Sequence, residues 1–275
     1  MIIDVSKHNG KIDWDKAKAS GVQGAIIRCG YGRDVANQDD PYFKRNVSEC
    51  QRLKIPFGVY IYSYAGDAEK AKSEADHVKR LVRGLKFDFP IFYDLEESKY
   101  SSVAKKVAET WLSCMKGYNV GIYASLYWWN TYLKGITCKK WVAAWNTSQP
   151  KIDGMILWQY DAYGTVPGVG SGSVDMDKPF GEILDIINGN TPEGGKIMIE
   201  VEVLKRTDPT MKGPEVFTVQ SILRAKGYKY GGSLIKCDSS YGKITEACVI
   251  QFQKDNKLTA DGIVGTKTWN KLVNG

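Results

Sequence analysis

Two acidic side chains stand two residues apart at the end of an apolar run, Pro90-Ile-Phe-Tyr-Asp-Leu-Glu96. Such a run predicts a buried β-strand, on which side chains alternate between the two faces. Asp94 and Glu96 therefore point to the same side. Of two carboxyl groups on one face, one can act as a general acid while the other acts as a base. Acidic residues after a strand also serve as helix caps or solvate loops, which is what we expect of Glu97.

The chain around this pair alternates strand-like and helix-like segments through residues 1–190. Five strand–helix units come first, and three strands with little helix between them follow. This alternation predicts a parallel sheet with helices outside it. Eight strands over this length favour an irregular (β/α)5(β)3 barrel of the TIM type, with a doubly wound open sheet as the alternative. The predicted strands are Ile2–Ser6, Gly24–Cys29, Phe57–Tyr64, Ile91–Leu95, Val120–Ala124, Lys140–Trp145, Met155–Tyr160 and Val174–Met176.

Further acidic residues fall at positions that such a barrel would bring together. The functional side chains of a parallel barrel lie at the C-terminal ends of its strands. Asp4 stands late in the first strand and Asp175 lies in the last, and these strands become neighbours when the barrel closes. We expect both to join Asp94 and Glu96 at one mouth. Like charges this close raise at least one pKa, which keeps a carboxylic acid protonated near neutral pH.

The same mouth is predicted to be aromatic, because rings fall near several strand ends. Flat rings beside acids suit a sugar, whose C–H faces stack on them. Any single ring could equally be a core residue, and Gln159 could either bond substrate or satisfy buried backbone. The rings near strand ends are Tyr31, Tyr62, Tyr123, Trp145, Trp158 and Tyr160. The substrate-binding candidates are Tyr62, Tyr31, Tyr123, Trp145 and Gln159.

Motifs for other chemistries are missing from the sequence. The six cysteines include no C-x-x-C pair, so we expect free, buried thiols rather than disulfides or a zinc site. Only two histidines occur, neither in H-E-x-x-H, and His77 is expected on the polar face of its helix. There is no serine-hydrolase elbow, and Gly168–Gly172 leads into a strand rather than a phosphate-binding helix. No metal or cofactor is expected.

Charge and hydropathy narrow the choice of partners. The net charge of +7 fits an acidic polymer such as nucleic acid or cell wall, and more readily an ordinary solvated surface. No run of five basic residues supports nucleic-acid binding, and no apolar run is long enough to span a membrane. The sequence opens directly into a strand without a secretory leader. We therefore expect synthesis in the cytoplasm or removal of a presequence.

A second domain is predicted after a turn-rich stretch. Residues 189–196 read as a linker between a first domain at 1–188 and a second at 197–275. The second domain has the pattern of a small, mainly helical module of three helices, and no internal repeat at a solenoid period is evident. Its predicted elements are a strand at Ile197–Leu204, helices at Glu215–Lys226 and Ile244–Lys254, and a short helix capped by Thr266.

Six short motifs follow one another along residues 1–188, namely Asp4-Val-Ser-Lys-His-Asn-Gly10, Gly58-Val-Tyr-Ile-Tyr62, Tyr93-Asp-Leu-Glu96, Trp141-Val-Ala-Ala-Trp145, Trp158-Gln-Tyr160 and Val174-Asp-Met-Asp177. Their residue types and order resemble the glycoside hydrolase family 25 lysozymes. The resemblance implies an irregular barrel of five β/α units and three further strands. It also implies cleavage of the β-1,4 bond between N-acetylmuramic acid and N-acetylglucosamine in bacterial peptidoglycan.

Roles for the four acids follow from this resemblance. It implies that Glu96 is the general acid and that Asp94 is its partner, either a nucleophile or the stabiliser of a substrate-assisted step. Asp4 and Asp175 are implied to orient and tune the pair. One departure is Asp177, where the motif often ends in Asn. The sequence spacing of the pair leaves retaining, inverting and substrate-assisted mechanisms open.

The second domain resembles the peptidoglycan-binding domain 1 family over residues 210–273, a three-helix cell-wall module. The residues that carry this resemblance are Val219-Gln-Ser-Ile-Leu-Arg-Ala-Lys-Gly-Tyr228, Tyr241-Gly-Lys-Ile-Thr245, Phe252-Gln253 and Asp261-Gly-Ile-Val-Gly-Thr-Lys-Thr-Trp269. Most of them serve turns and core packing, so no binding residue is assigned. The implied design is a catalytic barrel that a second module tethers to the wall.

The expected protein is therefore a muramidase whose partner is bacterial peptidoglycan, with no nucleic acid and no membrane insertion. A non-catalytic wall- or chitin-binding lectin on the same barrel is the main alternative, and a cysteine-dependent wall peptidase is a weaker one. The two-module design without a leader resembles a phage endolysin, which reaches the wall through a holin. A bacterial autolysin whose presequence was removed is the other origin considered.

Overall fold

The computed structural model describes residues 1–145, 147–170, 172–189 and 203–274. These residues fall into two compact units, one on each side of the 190–202 gap. All but the first residue of the predicted linker 189–196, and most of the predicted strand Ile197–Leu204, lie outside the described residues. The proposed domain boundaries therefore stay predictions.

The first unit is a closed barrel in which eight strands follow one another in chain order, so the barrel prediction is confirmed and the open sheet is wrong. Its strands are β1 Ile2–Val5, β2 Gly24–Tyr31, β3 Phe57–Tyr62, β4 Ile91–Asp94, β5 Val120–Ser125, β6 Lys139–Ala143, β7 Met155–Gly164 and β8 Val174–Pro179. Its helices are α1 Trp14–Ala19, α2 Phe43–Leu53, α3 Ala68–Val82, α4 Ala104–Cys114, α5 Leu126–Thr131 and α6 Gly181–Ile187.

The last strand runs in the opposite sense from the other seven. β1 through β7 pair in parallel, whereas β8 is antiparallel to both β7 and β1. The described part of the connection between β7 and β8 holds no helix, so the chain turns straight back. The start of β8, rather than its end, therefore lies at the mouth with the ends of the parallel strands. This places Asp175 near the mouth and Asp177 two residues deeper.

Large side chains fill the barrel below its mouth. Trp141 on β6 is only 1% exposed and forms the centre of this packing. Its ring meets those of Tyr60, Phe92 and Tyr123 at centroid distances of 5.7, 5.3 and 4.6 Å. Edge-on contacts of this kind are favourable because the positive rim of one ring faces the negative face of another. The floor beneath the mouth is thus a rigid aromatic layer.

Strand alternation works as predicted along β4. Phe92 faces the barrel interior, and Tyr93 faces the helices, where it stacks on Trp111 of α4 at 4.6 Å and 2°. The Tyr93 hydroxyl also donates to the buried Glu74 carboxylate at 2.5 Å. Because Tyr93 is held on both its face and its hydroxyl, the next residue, Asp94, has a fixed direction into the barrel.

One histidine lies in the core rather than on the polar face of α3, so that prediction is wrong. His77 is 0% exposed. Its Nδ1 lies 3.0 Å from the Gly32 carbonyl oxygen and its Nε2 lies 2.9 Å from Asp39 Oδ1. Both partners come from the segment after β2, far from α3 in sequence. Helical periodicity shows which face a residue is on, but it does not show which loop covers that face.

The second unit is mainly helical, as predicted. It contains α7 Pro214–Ala225, α8 Lys243–Asp255 and α9 Thr266–Asn274, with a two-stranded antiparallel sheet of β9 Lys229–Tyr230 and β10 Ser233–Leu234. Residues from all three helices share one core, which includes Val219, Phe252 and Leu272.

Across the described residues of both units, no helix is long and apolar enough to cross a membrane. The cysteines at all six positions are free, and three of them are fully buried.

Two buried glutamines organise this unit in the same way. In each, Nε2 lies within 3.0 Å of an aspartate Oδ1, a backbone carbonyl oxygen and a threonine hydroxyl, and Oε1 accepts a backbone N–H at 2.9 Å. The partners of Gln220 are Asp238, Ser240, Thr245 and Ser239, and those of Gln253 are Asp261, Ile263, Thr268 and Gly262. The unit therefore holds a two-copy structural repeat.

The sequence trace of this repeat is short. Each copy has an Asp, a Gly four residues later and a Thr three residues after that, at Asp238-Ser-Ser-Tyr-Gly-Lys-Ile-Thr245 and Asp261-Gly-Ile-Val-Gly-Thr-Lys-Thr268. The glutamine precedes the aspartate by 18 residues in one copy and by 8 in the other. Because this spacing differs, a search for a fixed period does not find the repeat.

We expect the Gln253→Ala variant to lower the free energy of unfolding of the second unit by about 2–4 kcal/mol, because it removes four hydrogen bonds and leaves the buried Gly262 N–H without its acceptor. Gln251→Ala is the matched control, since Gln251 is exposed on the same helix and bonds only the exposed Asp255 carboxylate at 2.8 Å. Its effect should stay within about 0.5 kcal/mol. Amide hydrogen exchange, read by mass spectrometry on peptides from residues 203–274, measures both. Equal exchange rates in the two variants would contradict this account of the repeat.

Candidate active site

The barrel mouth brings the four predicted acids together. Asp4 is the cross-strand partner of Asp175 in the β1–β8 pair. Asp94 ends β4, and the charges of Glu96 and Asp175 both raise the pKa of its carboxyl group. The expected cluster therefore exists, although Asp175 reaches it from the start of an antiparallel strand rather than from a strand's end. Charges this close interact strongly because little water separates them.

Asp94 is buried, and burial raises the pKa of its carboxyl group well above the usual range. The neighbouring Glu96 carboxyl raises the same pKa further, while the Arg28 guanidinium lowers it. Among the described residues, no donor reaches Asp94 Oδ1. A buried carboxyl oxygen without a donor is poorly stabilised when ionised, which agrees with the raised pKa.

Arg28 is a buried residue of the site that sequence reasoning missed. It lies on β2, where its Nε donates to Asp40 Oδ2 at 2.9 Å, and its Nη2 has no acceptor among the described residues. The sequence does indicate a buried charge here, because a single charged residue interrupts the apolar run Ala25-Ile-Ile-Arg-Cys29. A buried charge of this kind needs a partner. Its partner was not visible, because Asp40 reads as the cap of the following helix.

Asp40 holds Arg28 instead of capping α2 directly. The helix begins at Phe43, with Tyr42 at the cap position. One Asp40 oxygen accepts from Arg28 and from the backbone N–H of Lys7 at 2.9 Å, and the other accepts from the Tyr42 N–H at 3.0 Å. Asp40 thereby connects the start of α2 to the loop after β1 and fixes the guanidinium beneath the mouth.

Glu96 stands at the open side of the mouth, two residues beyond Asp94. Its side chain reaches solvent, but protein surrounds the carboxyl group on most sides, as happens in a concave site. This partial burial raises its pKa, the Tyr62 and Tyr123 hydroxyls lower it, and the charge of Glu97 raises it. The net direction is upward, which favours a protonated acid closer to neutral pH.

Two tyrosine hydroxyls flank Glu96. Tyr62 donates its hydroxyl proton to Glu97 Oε1 at 2.9 Å, and Tyr123 donates its own to Gln159 Oε1 at 3.0 Å. Both hydroxyls are also within hydrogen-bond range of Glu96. Because both hydroxyls lower the pKa of Glu96, they favour its ionised form and partly offset the effect of burial. Glu97 stands at the N-cap position of the short helix Ser98–Val103, and its side chain orients Tyr62 rather than capping that helix.

Gln159 connects the two sides of the mouth. Its Nε2 donates to Asp4 Oδ2 at 2.8 Å. Its Oε1 accepts from the Tyr123 hydroxyl at 3.0 Å and from Trp145 Nε1 at 3.1 Å. Since the amide is buried and so fully engaged, its position orders the residues around it. Direct contact of Gln159 with a substrate stays a prediction.

The predicted aromatic residues divide into those at the mouth and those that face away. Tyr31 is the cross-strand partner of Tyr62, and Trp145 is 48% exposed at the rim although its indole nitrogen is anchored. Alternation along β7 sends Leu157 and Gln159 into the barrel and turns Trp158 and Tyr160 the other way. Trp158 donates from Nε1 to the Ala144 carbonyl at 2.9 Å, a structural bond. A groove lined by Tyr31, Tyr62, Tyr123 and Trp145 remains a prediction for substrate binding.

A further carboxyl group, that of Asp177, lies under the mouth. It is only 1% exposed, and its Oδ1 accepts from Trp141 Nε1 at 2.7 Å. Burial and the charge of Asp175 raise its pKa to about 8, although hydrogen bonds from Trp141 and Asp4 lower it. Burial and the charges of Asp177 and Asp175 also raise the pKa of Asp4, and burial and Glu96 raise that of Asp175 to about 6. These groups cannot all be ionised together without a large cost.

The first unit should become more stable as the pH falls from about 8.5 to 5. The pKa values of Asp175 and Asp177 rise on folding from 3.8 to about 6 and about 8. Protons therefore bind the folded state more tightly, and this stabilisation is complete at low pH and lost as the pH rises through 6 and 8. We expect a difference of about 2–4 kcal/mol in the free energy of unfolding. Urea titrations at several pH values measure it.

The Asp175→Asn variant is the matched control for this pH dependence. It should lose the part of the change centred near pH 6 and keep the part near pH 8, since Asp177 is still present. Asp13→Asn should keep both parts, because Asp13 is an exposed helix cap whose pKa is lowered by its hydrogen bond to the Lys16 N–H. Stability that rises with pH over this range would contradict the assignment.

Comparison with known proteins agrees with the geometry. Residues 3–169 match glycosyl hydrolases family 25, and residues 212–272 match a peptidoglycan binding domain family. The autolytic lysozyme of Clostridium acetobutylicum is 29% identical over 280 residues, which cover 97% of this chain and 76% of that protein.

Solved structures share the barrel. The bacterial lysozyme from Streptomyces coelicolor has a TM-score of 0.59 and 27% identity, over 69% of this chain and 97% of its own. The modular autolysin LytC from Streptococcus pneumoniae, solved in complex with a synthetic peptidoglycan ligand, has a TM-score of 0.55 and 30% identity. That match covers 64% of this chain and 45% of LytC, so the chain spans less than half of that protein. Since the first family match covers more than half of the 275 residues, the chain belongs to glycosyl hydrolases family 25.

Proposed function

We propose that the chain is a muramidase that hydrolyses the β-1,4 bond between N-acetylmuramic acid and N-acetylglucosamine in bacterial peptidoglycan. The observation that carries this proposal is the unequal pair at the mouth, with Glu96 open to solvent and Asp94 buried beside Arg28. A glycosidase needs one carboxyl group to protonate the leaving oxygen and another that stays ionised. The family and its lysozyme relatives support the same conclusion.

Glu96 is the proton donor in this scheme. Its carboxyl group stands where a glycan in the groove could reach it, and its pKa is raised by partial burial. Protonating the glycosidic oxygen lets the C–O bond break with its electron pair on the leaving sugar. Glu96 then carries the negative charge, and a water molecule restores the proton while its hydroxyl joins the sugar carbon.

Asp94 is the ionised partner. One proton serves the pair over the middle pH range, because each carboxyl group raises the proton affinity of the other. Burial and the charge of Glu96 raise the pKa of Asp94, and the Arg28 guanidinium opposes them by stabilising a negative charge there. The Asp94 carboxylate can bond the sugar carbon as a nucleophile, or it can stabilise attack by the substrate's own N-acetyl oxygen. Both routes need the same ionised Asp94.

Asp4 and Asp175 are supporting residues in this proposal, and the second unit supplies contact with the wall. Asp175 is half-buried beside the pair, and its charge acts together with that of Glu96. Asp4 is buried below and holds Gln159.

Peptidoglycan is the proposed partner of both units, because the second family match is to a peptidoglycan binding domain and LytC was solved with a peptidoglycan ligand. That the protein is a phage endolysin, which reaches the wall through a holin, stays a prediction.

The Glu96→Gln variant should lose about 10³-fold or more of its hydrolytic rate, because the amide cannot donate a proton to the leaving oxygen. Binding to purified cell walls should be unchanged, since the side chain keeps its shape. Release of reducing ends, with mass spectrometry of the muropeptides to identify the bond that is cut, measures the rate.

Glu97→Gln is the matched control for this experiment. Glu97 carries the same functional group one residue away and only accepts from Tyr62 at 2.9 Å, so its rate should stay within about tenfold of the starting protein. Full activity of Glu96→Gln would disprove the assignment. Wall binding without hydrolysis by the unchanged protein would favour the lectin, and new free amines without reducing ends would favour a peptidase.

A further inference from the structure

A buried histidine of α3 is bonded to the chain segment that follows β2. His77 is 0% exposed. Its Nδ1 lies 3.0 Å from the Gly32 carbonyl oxygen, and its Nε2 lies 2.9 Å from Asp39 Oδ1. A Cβ atom at Gly30 would lie 2.8 Å from His77 Cε1, so the strand packs directly on the ring. The imidazole therefore holds both ends of the segment 32–39 against α3.

Both ring nitrogens of His77 face acceptors. A carbonyl oxygen can only accept a hydrogen bond, so Nδ1 must donate to Gly32. Asp39 is an acceptor as well, because the Arg80 guanidinium donates to its Oδ1 at 2.6 Å and to its Oδ2 at 3.1 Å. The bonds from Arg80, and then that from His77, lower the pKa of Asp39 and favour its ionised form. A neutral imidazole carries one N–H, so only the charged ring makes both bonds.

The residue after Asp39 connects this contact to the barrel mouth. Asp40 Oδ2 accepts from Arg28 Nε at 2.9 Å, and the Asp40 N–H donates to the Cys29 carbonyl oxygen at 2.9 Å. Burial raises the pKa of Asp94, and the Arg28 guanidinium opposes that increase. A displacement of Asp39 would move Asp40, and with it the guanidinium that acts on Asp94.

We propose that His77 is a positioning residue that, as an imidazolium, holds Asp39 and thereby the Arg28 side of the mouth. Asp39 fixes the place of Asp40, and Asp40 fixes the Arg28 guanidinium. The ionised form of Asp94 then has its positive neighbour at a constant position. The inference rests on the proposed function for its effect on catalysis, whereas the protonation of His77 is independent of it.

A second buried residue of α3 balances the charge of the imidazolium. Glu74, three residues before His77, is also 0% exposed. Its carboxyl group accepts from the Ser63 hydroxyl at 2.8 Å, the Tyr64 N–H at 2.8 Å and the Tyr93 hydroxyl at 2.5 Å. Burial raises the pKa of Glu74, and these three bonds and the charge of His77 oppose the increase. Three donors and one cation thus favour a carboxylate beside the ring.

Other charged or titratable groups surround the two ends of this contact. Those that act on His77 or on its partner Asp39 are Glu74, Arg80, Asp34, Asp40, Arg28 and Cys29. Those that act on Asp94, or on which Asp94 acts, are Glu96, Glu97, Asp175, Arg28, Tyr60 and Tyr123.

The pH profile of kcat/KM tests the positioning role. Its acidic limb reports the ionisation of the Asp94–Glu96 pair in the free enzyme. The His77→Gln variant loses one of the two bonds to segment 32–39, so Arg28 opposes the raised pKa of Asp94 less well. We expect the acidic limb to move up by about half a pH unit or more, with the plateau rate within about tenfold of the starting protein. A purely structural loss would lower the rate equally at every pH and leave the limb in place.

The Asp39→Asn variant repeats the test from the other end of the bond. Asp39 is partly exposed, so this variant serves if His77→Gln does not fold. Removing its negative charge would by itself lower the pKa of Asp94 and move the limb down, whereas loss of positioning moves it up. Asp76→Asn is the charge-matched control, because Asp76 is exposed on the same helix and pairs with Lys79 at 3.4 Å. Its acidic limb should stay in place.

Nitrogen-15 NMR of the histidine rings tests the protonation separately. The chain has two histidines, so a His8→Gln variant assigns both sets of signals. At mildly acidic pH, His77 should show two ring N–H protons that exchange slowly with water, because both are bonded and buried. This result does not depend on hydrolysis, so it holds even if Glu96→Gln proves fully active. The inference is overturned if only one ring N–H of His77 is protected, if the limb fails to rise in Asp39→Asn or in folded His77→Gln, or if Asp76→Asn raises it as far.

Discussion

The burial of several carboxyl groups at one barrel mouth is the constraint on which the rest of the site depends. Their mutual repulsion and loss of hydration would destabilise the fold if all were ionised. Three of them have a specific compensation. Arg28 offsets the charge of Asp94, the Gln159 amide donates to Asp4, and the Trp141 indole donates to Asp177. The aromatic floor keeps these donors in place because close-packed rings have little freedom to move.

Closure of the barrel by an antiparallel strand makes this concentration of acid possible. In a parallel strand of the barrel, only the last residues lie at the mouth, and the residues before them lie deeper. Because β8 enters at the mouth and runs downward, it supplies Asp175 at the rim and Asp177 two residues below. β1 stands beside it with Asp4 opposite Asp175. Two adjacent antiparallel strands thus stack three carboxyl groups at two depths.

Much of this site follows from local sequence, and the rest depends on contacts that local sequence does not contain. Strand alternation suffices for Asp94, and strand count suffices to bring Asp4 beside Asp175. Neither feature shows that Asp40, besides binding the start of α2, also holds Arg28, or that a loop covers His77. The pairing of Gln220 and Gln253 was hidden by unequal spacing. In each of these cases a buried polar residue takes its partner from a distant segment, and chain folding alone decides which one.

In the proposed mechanism, the division of roles between Glu96 and Asp94 is a consequence of depth. Two carboxyl groups on neighbouring positions of one strand would share a proton equally if their surroundings were the same. Asp94 lies at the end of β4 between flanking strands, where the Arg28 guanidinium acts on its charge, whereas Glu96 has left the sheet and faces solvent. In the proposed mechanism, the deeper group carries the charge, and the Arg28 guanidinium opposes the pKa increase that burial gives it. The outer group carries the proton, at a position from which it could be passed to a substrate and replaced from water.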